Sequence, residues 1–178
     1  MVLGLSLGGM VTQLLALHHP QAVAGMVLCG CTGGFAEPVR PVLRERGLAA
    51  QRSGMAAVVG STLERWFTAQ FMEDPAVDAV RERLLRNKVS NWSATWHASA
   101  GFDALPRLGE IRAPTLVLAG ERDAATPPAA TDALAGAIPG ARRTVLAGAP
   151  HMMQIECGEA FSRAVLEFLA TVQPCPSP

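Results

Sequence analysis

Net charge is the first thing this sequence lacks: 15 Lys and Arg residues offset 15 Asp and Glu residues, and the formal charge at pH 7 is zero. A chain with no field of either sign has nothing long-ranged to recruit nucleic acid or an anionic membrane surface, so neither partner is expected. It also lacks an uninterrupted apolar run of the roughly 20 residues that a membrane-spanning helix needs, although 49% of its residues are apolar. Cysteine is scarce. Cys29, Cys31, Cys157 and Cys175 match neither a zinc-ligand spacing nor the dense framework of a small secreted domain, and they read as reduced thiols. The first residues lack the charged start and longer apolar stretch of a secretory signal, and no internal repeat is visible, so a cytoplasmic protein acting on a small neutral molecule is expected. With 178 residues, one domain is the default, large enough for a real core yet short for a large α/β enzyme.

What is present alternates between buried-strand runs and helical spacing. Val2 to Leu5 is a short apolar run ending at Ser6, after which Met10, Val11, Leu14, Leu15 and Leu17 recur at helical spacing as far as His19-Pro20. Ala24 to Cys29 is a continuous apolar segment bounded by glycines, as a strand buried on both faces of a parallel sheet should be. From Pro38 to about Ala100 the spacing is helical and contains Trp66, Trp92 and Trp96, which reads as an inserted helical cap. Pro114 to Gly120 is again a buried strand, followed by a helix over about Pro128 to Ala137, a Pro139-Gly140 turn and a strand at Arg143 to Ala147. A last amphipathic helix runs from about Gly158 to Val172, with Phe161, Val165, Leu166, Phe168 and Leu169 as its apolar face, and Pro174 to Pro178 reads as a frayed tail. The alternation predicts an α/β fold of about four mostly parallel strands, with core segments at 1–37 and 102–178 and the cap at 38–101.

Gly4-Leu5-Ser6-Leu7-Gly8 is a G-x-S-x-G pentapeptide set directly after a strand and before a helix. That context turns a glycine-rich turn into a nucleophile elbow: the turn is tight enough to require both glycines, and Ser6 is held in a strained conformation that projects its hydroxyl from the sheet. The Leu7 backbone N–H, at the positive end of the following helix, is then the expected oxyanion donor. A serine hydroxyl needs a base, and the base needs an orienting acid. Asp123 follows the strand ending at Gly120, and His151 follows the strand after that, so each lies one loop beyond a strand on the edge that carries Ser6. Other titratable residues are placed less well. His18 and His19 end the helix after the elbow and suit a capping role; His97 lies in the cap; Glu121 reads as a solvated carboxylate beside Asp123; Asp132 lies inside a helix.

With these motifs in hand, the chain resembles the α/β-hydrolase superfamily and, within it, the 3-oxoadipate enol-lactonase-like group. The superfamily likeness rests on Gly4-Leu-Ser-Leu-Gly-Gly-Met10, Ile111 to Gly120, Asp123-Ala-Ala-Thr-Pro-Pro128 and Gly148-Ala-Pro-His151; Glu64-Arg-Trp-Phe-Thr68 is closer to the lactonase group. The resemblance implies Ser6 as nucleophile, His151 as base and Asp123 as its orienting acid, hydrolysing an enol-lactone without metal or cofactor through an acyl-enzyme. It further implies Arg65 as a substrate-binding guanidinium for a carboxylate and Trp66 as a pocket wall. The same triad also serves general carboxylesterases and cofactor-free haloperoxidase-like enzymes.

The resemblance begins at the elbow strand. A full superfamily member carries about four strands before it, with a loop that supplies the second oxyanion N–H. The expectation is therefore a C-terminal portion of the fold, either a fragment or a frame started at an internal methionine. Lacking that donor would cost roughly a hundred- to a thousand-fold in rate. Val2, Leu3 and Leu5 would lie on an open apolar edge suited to self-association, which also leaves an inactive associating module as a reading.

Overall fold

In the computed structural model, residues 1–172 are described; the stretch 174–178, expected as a frayed tail, lies outside the described residues. Four strands form one parallel sheet in sequence order: β1 (Val2–Leu5), β2 (Met26–Cys29), β3 (Thr115–Gly120) and β4 (Arg142–Leu146). Helix α1 (Leu7–His18) joins β1 to β2. Four helices stand between β2 and β3: α2 (Arg40–Ser53), α3 (Ala56–Trp66), α4 (Pro75–Leu85) and α5 (Val89–Gly101). Beyond β3 come α6 (Pro128–Ala137), β4, the short α7 (Met153–Glu156) and α8 (Gly158–Leu169). Among the described residues, no helix is long and apolar enough to cross a membrane.

The chain divides into two compact units, one of residues 1–33 with those from 104 onward, the other Gly34–Asp103. Within the first unit, the Ala104 amide donates to the Gly33 carbonyl at 2.7 Å, so the chain leaves and re-enters the sheet unit at neighbouring points. Within the second, Gly34 bridges Asp103 in antiparallel fashion. An excursion of this length costs little when its ends are tied together, because loop-closure entropy grows only logarithmically.

Burial explains the strand composition. Every residue of β2 and β3 is buried, which is why both read as unbroken apolar runs rather than as alternating ones. Val27, Cys29, Leu116 and Leu118 pack with Leu146, Met153 and Phe168 in one cluster, joined by Phe161 and Val165 of α8. Met26, Leu28, Val117 and Ala119 point oppositely by the strand alternation and are also fully enclosed. Each enclosed aliphatic side chain contributes on the order of 2 kcal/mol. The edge strands β1 and β4 are only partly covered.

Helix α8 corrects one expectation. Phe161, Val165 and Phe168, spaced i, i+4, i+7, face the sheet, whereas Leu166 is 63% exposed and Leu169 is 37% exposed. Five apolar residues in that helix span more arc than one contact face can hold, and the two at its margin turn to solvent. Helix α1 has a comparable surplus: Leu7, Val11 and Leu14 form an exposed stripe at i, i+4, i+7.

Candidate active site

The four parallel strands end along one edge, and each of the first two hands its chain directly to a site residue. β1 ends at Leu5 and is followed by Ser6; β2 ends at Cys29, opposite Leu5 in register, and is followed by Gly30. The Ser6 amide donates to the Cys29 carbonyl at 2.8 Å, and its own carbonyl accepts from Met10 at 3.2 Å. Among the described residues, Ser6 is the only non-glycine with positive φ, at 52° with ψ −116°. That conformation costs on the order of 1–3 kcal/mol and persists only where the surroundings enforce it.

The enforcing contacts differ in part from the expectation that both glycines of the pentapeptide are required. A side chain at Gly4 would place its Cβ 2.3 Å from the Gly8 carbonyl oxygen, so Gly4 is obligatory. A Cβ at Gly8 would meet nothing within 4 Å. The second tight position is Gly9, where a Cβ would fall 2.4 Å from Cys31 Sγ. The turn folds Gly4 against the backbone of Gly8, and α1 then runs past the residues after β2. Leu7 heads α1, where its N–H has no partner within the helix and faces no intrahelical carbonyl.

Asp123 and His151 meet. His151 Nδ1 and Asp123 Oδ2 are 2.8 Å apart, and both side chains are almost wholly buried. The other carboxylate oxygen, Oδ1, accepts from the Ala125 amide at 2.8 Å and the Thr126 amide at 2.7 Å. These two donors fix the carboxylate's plane, and a carboxylate on Nδ1–H selects the tautomer in which Nε2 carries the lone pair. Gly30 closes the group from β2: at φ +47° its absent Cβ would lie 3.0 Å from Asp123 Oδ2 and 3.2 Å from His151 Nδ1. Gly30 therefore stands next to Ser6's strand partner and against the Asp–His pair at once.

Two loops carry this pair, and they are tied to each other. The Glu121 carboxylate accepts from the Gly148 amide at 2.7 Å, and the Arg122 amide donates to Ala149 at 2.9 Å. Glu121 is thus a loop-to-loop acceptor rather than a merely solvated carboxylate. Asp132, another candidate acid, pairs with Arg143 at 2.6 Å. His18 and His19 end α1 in exposed positions, and His97 is exposed on α5. The sequence did not single out Gly30, and it offered Glu121 only as a solvated carboxylate, not as a tie between loops. A lone glycine directly after the second strand was the available signal for the first, and a carboxylate two residues before Asp123 for the second.

Cysteines lie close by without taking part. Burial pushes the Cys29 thiol up to about 12. Cys31 is raised further, by burial and then by its neighbour Cys29, while a hydrogen bond from Gln13 acts weakly the other way. Cys29, Cys31 and Cys157 are free thiols. Among the described residues, no group of three or more His, Cys, Asp and Glu side chains is gathered as a metal site requires.

Arg65 and Trp66 lie at the end of α3 in the helical unit. Arg65 lines a cavity of about 210 Å³ within that unit. Both side chains are half-buried.

Comparison with known proteins agrees with this architecture. Residues 1–158 match the Hydrolase_4 family, described as serine aminopeptidase, S33. The chain is 28% identical over 164 residues to 3-oxoadipate enol-lactonase 2 of Acinetobacter baylyi, covering 91% of this chain and 60% of that protein. It is 34% identical over 177 residues to polyketide synthase ThaQ of Burkholderia thailandensis, covering 94% of this chain and 8% of the synthase. The crystal structure of the enol-lactonase from Burkholderia xenovorans superimposes with a TM-score of 0.89 at 32% identity, over 94% of this chain and 64% of that one. The chain thus spans less than two thirds of the length of each of these relatives. With a parallel sheet, an elbow at Ser6 and a family match across most of its length, the chain belongs to the α/β-hydrolases and has an enol-lactonase among its relatives.

Proposed function

We propose that the chain carries the catalytic apparatus of a serine hydrolase that cleaves a small carboxylic ester or lactone. The observation that carries the reading is the strained elbow at Ser6 on the same sheet edge as the buried Asp123–His151 pair. Ser6 Oγ attacks the carbonyl carbon, and His151 Nε2 takes the hydroxyl proton. The oxyanion develops against the Leu7 N–H at the positive end of α1. Collapse of the tetrahedral species expels the leaving oxygen, which takes the proton back from His151. Water activated by the same histidine then releases the acid and restores Ser6. Asp123 keeps its charge throughout and stabilises the imidazolium.

The enol-lactonase relatives favour 3-oxoadipate enol-lactone as substrate, a reaction within aromatic catabolism. Arg65 is assigned to the acid group of that substrate and Trp66 to its apolar part, because a guanidinium can hold a carboxylate through two parallel hydrogen bonds. A general carboxylesterase or a cofactor-free haloperoxidase-like hydrolase would use the same three residues and differ in its dependence on Arg65. The setting of these reactions is the cytoplasm. Self-association through β1 is proposed beside catalysis, since among the described residues β1 pairs only with β2 and Leu3 is 47% exposed. Light scattering on the purified chain reads it directly.

A fluorophosphonate tests the core of the proposal, because it reports an activated serine whatever the natural substrate. Covalent labelling of the chain is expected, with none in Ser6→Ala and a drop of about 10⁴-fold in rate in Asp123→Asn, which sets the wrong histidine tautomer. Labelling that persists in Ser6→Ala would refute the assignment.

A further inference from the structure

The helical unit contains a cavity whose chemistry is one-sided. It measures about 210 Å³ and is walled by α2, α3 and α5. Ala49, Val58 and Trp92 give it an apolar floor, and two half-buried guanidinium groups, those of Arg46 and Arg65, also line it. Neither arginine has a carboxylate partner among the described residues. Arg46 instead lies 4.9 Å above the Trp96 ring, and Trp96 meets Trp92 edge-on at 5.7 Å. Arg65 stands in the last turn of α3, where a cation suits the helix end. These contacts position the two cations without neutralising them.

The remaining polar groups leave the imbalance standing. Glu45 also lines the cavity, yet its carboxylate is committed to Arg52. The hydroxyls of Ser61 and Thr62 donate to the Val58 carbonyl at 3.3 and 2.7 Å, so their protons are spent. The Trp92 indole N–H is enclosed and has no acceptor among the described residues. Charged donors are thus in surplus: the acceptors that remain on the lining are the neutral Ser61 and Thr62 oxygens and a Glu45 carboxylate already paired with Arg52. Burial lowers the pKa of both arginines, and proximity to Arg65 lowers Arg46 further, while the Glu64 charge acts less strongly the other way on Arg65. Partly desolvated like charges side by side are costly unless an anion joins them.

We infer that this cavity binds a small aliphatic carboxylate, with its charged end on Arg46 and Arg65 and its chain along Ala49, Val58 and Trp92. The volume is below the roughly 300–1,000 Å³ of drug-sized sites, which suits a short chain. The inference deepens the role proposed for Arg65 and rests on it only in that Arg65 serves an anion; Arg46 and the apolar floor are new to it.

The test is a nitrogen-15 NMR titration of the full chain at low salt, with hexanoate as probe and hexanamide as its uncharged counterpart. Trp66, Trp92 and Trp96 are the only indoles, so their N–H signals are few and assignable. Saturable shifts of Trp92 and Trp96 with hexanoate are expected, with hexanamide at least tenfold weaker. Arg46→Met and Arg65→Met should each weaken hexanoate binding tenfold or more, and Arg65→Lys should recover part of the loss. Arg46→Met forfeits the stacking on Trp96, so Arg65→Met, which touches no recorded ring contact, keeps the test meaningful should the first variant fold poorly. Equal binding of hexanamide, unchanged affinity in Arg65→Met, or no saturable shift would each overturn the inference. Ser6 labelling is read separately: a chain that labels yet fails the titration loses this site alone, and one that titrates without labelling loses the hydrolase reading alone.

Discussion

Replacing Gly30 with alanine separates two roles that a glycine at this place could have. At φ +47° an alanine backbone is disfavoured, and for an L-residue in the left-handed region the cost is about 1–2 kcal/mol. That is a stability effect, and any left-handed turn would show it. The second effect is local to the site. The new methyl would sit 3.0 Å from Asp123 Oδ2 and 3.2 Å from His151 Nδ1, closer than ordinary contact, so the pair must give by a few tenths of an ångström. Because about 1 Å of misplacement costs about 10²-fold in rate, a shift of that size should slow the chemistry by roughly three- to tenfold. The assay is the second-order rate of fluorophosphonate labelling, with the urea midpoint measured on the same sample. Gly30→Asn sharpens the comparison, since asparagine tolerates this backbone better but brings the same Cβ. If Gly30→Ala loses stability as stated while both variants label at the parent rate, Gly30 is only a turn residue and its link to the Asp–His pair is refuted.

Two further outcomes follow from the same geometry. Ser6→Gly should abolish labelling yet raise stability by about 1 kcal/mol, because it releases the strained φ of 52° at a smaller entropic cost; a destabilised Ser6→Gly in urea would contradict the strain. Folding raises the Cys29 thiol from 9.0 to about 12, so the native state holds its proton where the unfolded chain has released it. Stability from this thiol is complete below pH 9 and should decline as pH rises from there toward 12. Urea midpoints at pH 8 and pH 10 measure the decline, and Cys29→Ala should reduce it.

Local signals in the sequence went furthest where the structure is local. The elbow is a pentapeptide, α6 spans Pro128–Ala137 as its spacing indicates, and the strand runs fall within a residue or two of β2, β3 and β4. Asp123 and His151 were legible because parallel-strand topology sends each loop to the same edge, and the structure puts them in hydrogen-bonding contact. What escaped depends on chain segments meeting from afar. The requirement at Gly9 comes from Cys31, the requirement at Gly30 from Asp123 and His151, and the role of Glu121 from Gly148. In the helical stretch, the spacing indicated helices but not which faces leave a cavity, since that depends on how α2, α3 and α5 pack.

The separation of the tryptophans has a practical consequence for following this protein's folding. Trp66, Trp92 and Trp96 all lie within Gly34–Asp103, and the sequence contains no tyrosine. Tryptophan emission therefore comes from the helical unit alone, while the sheet unit with its serine adds only the weak emission of Phe161 and Phe168. Loss of fluorescence and loss of covalent labelling along one denaturation series would follow the two units independently. Coincident curves would make them one cooperative whole, and separated curves would show which gives way first.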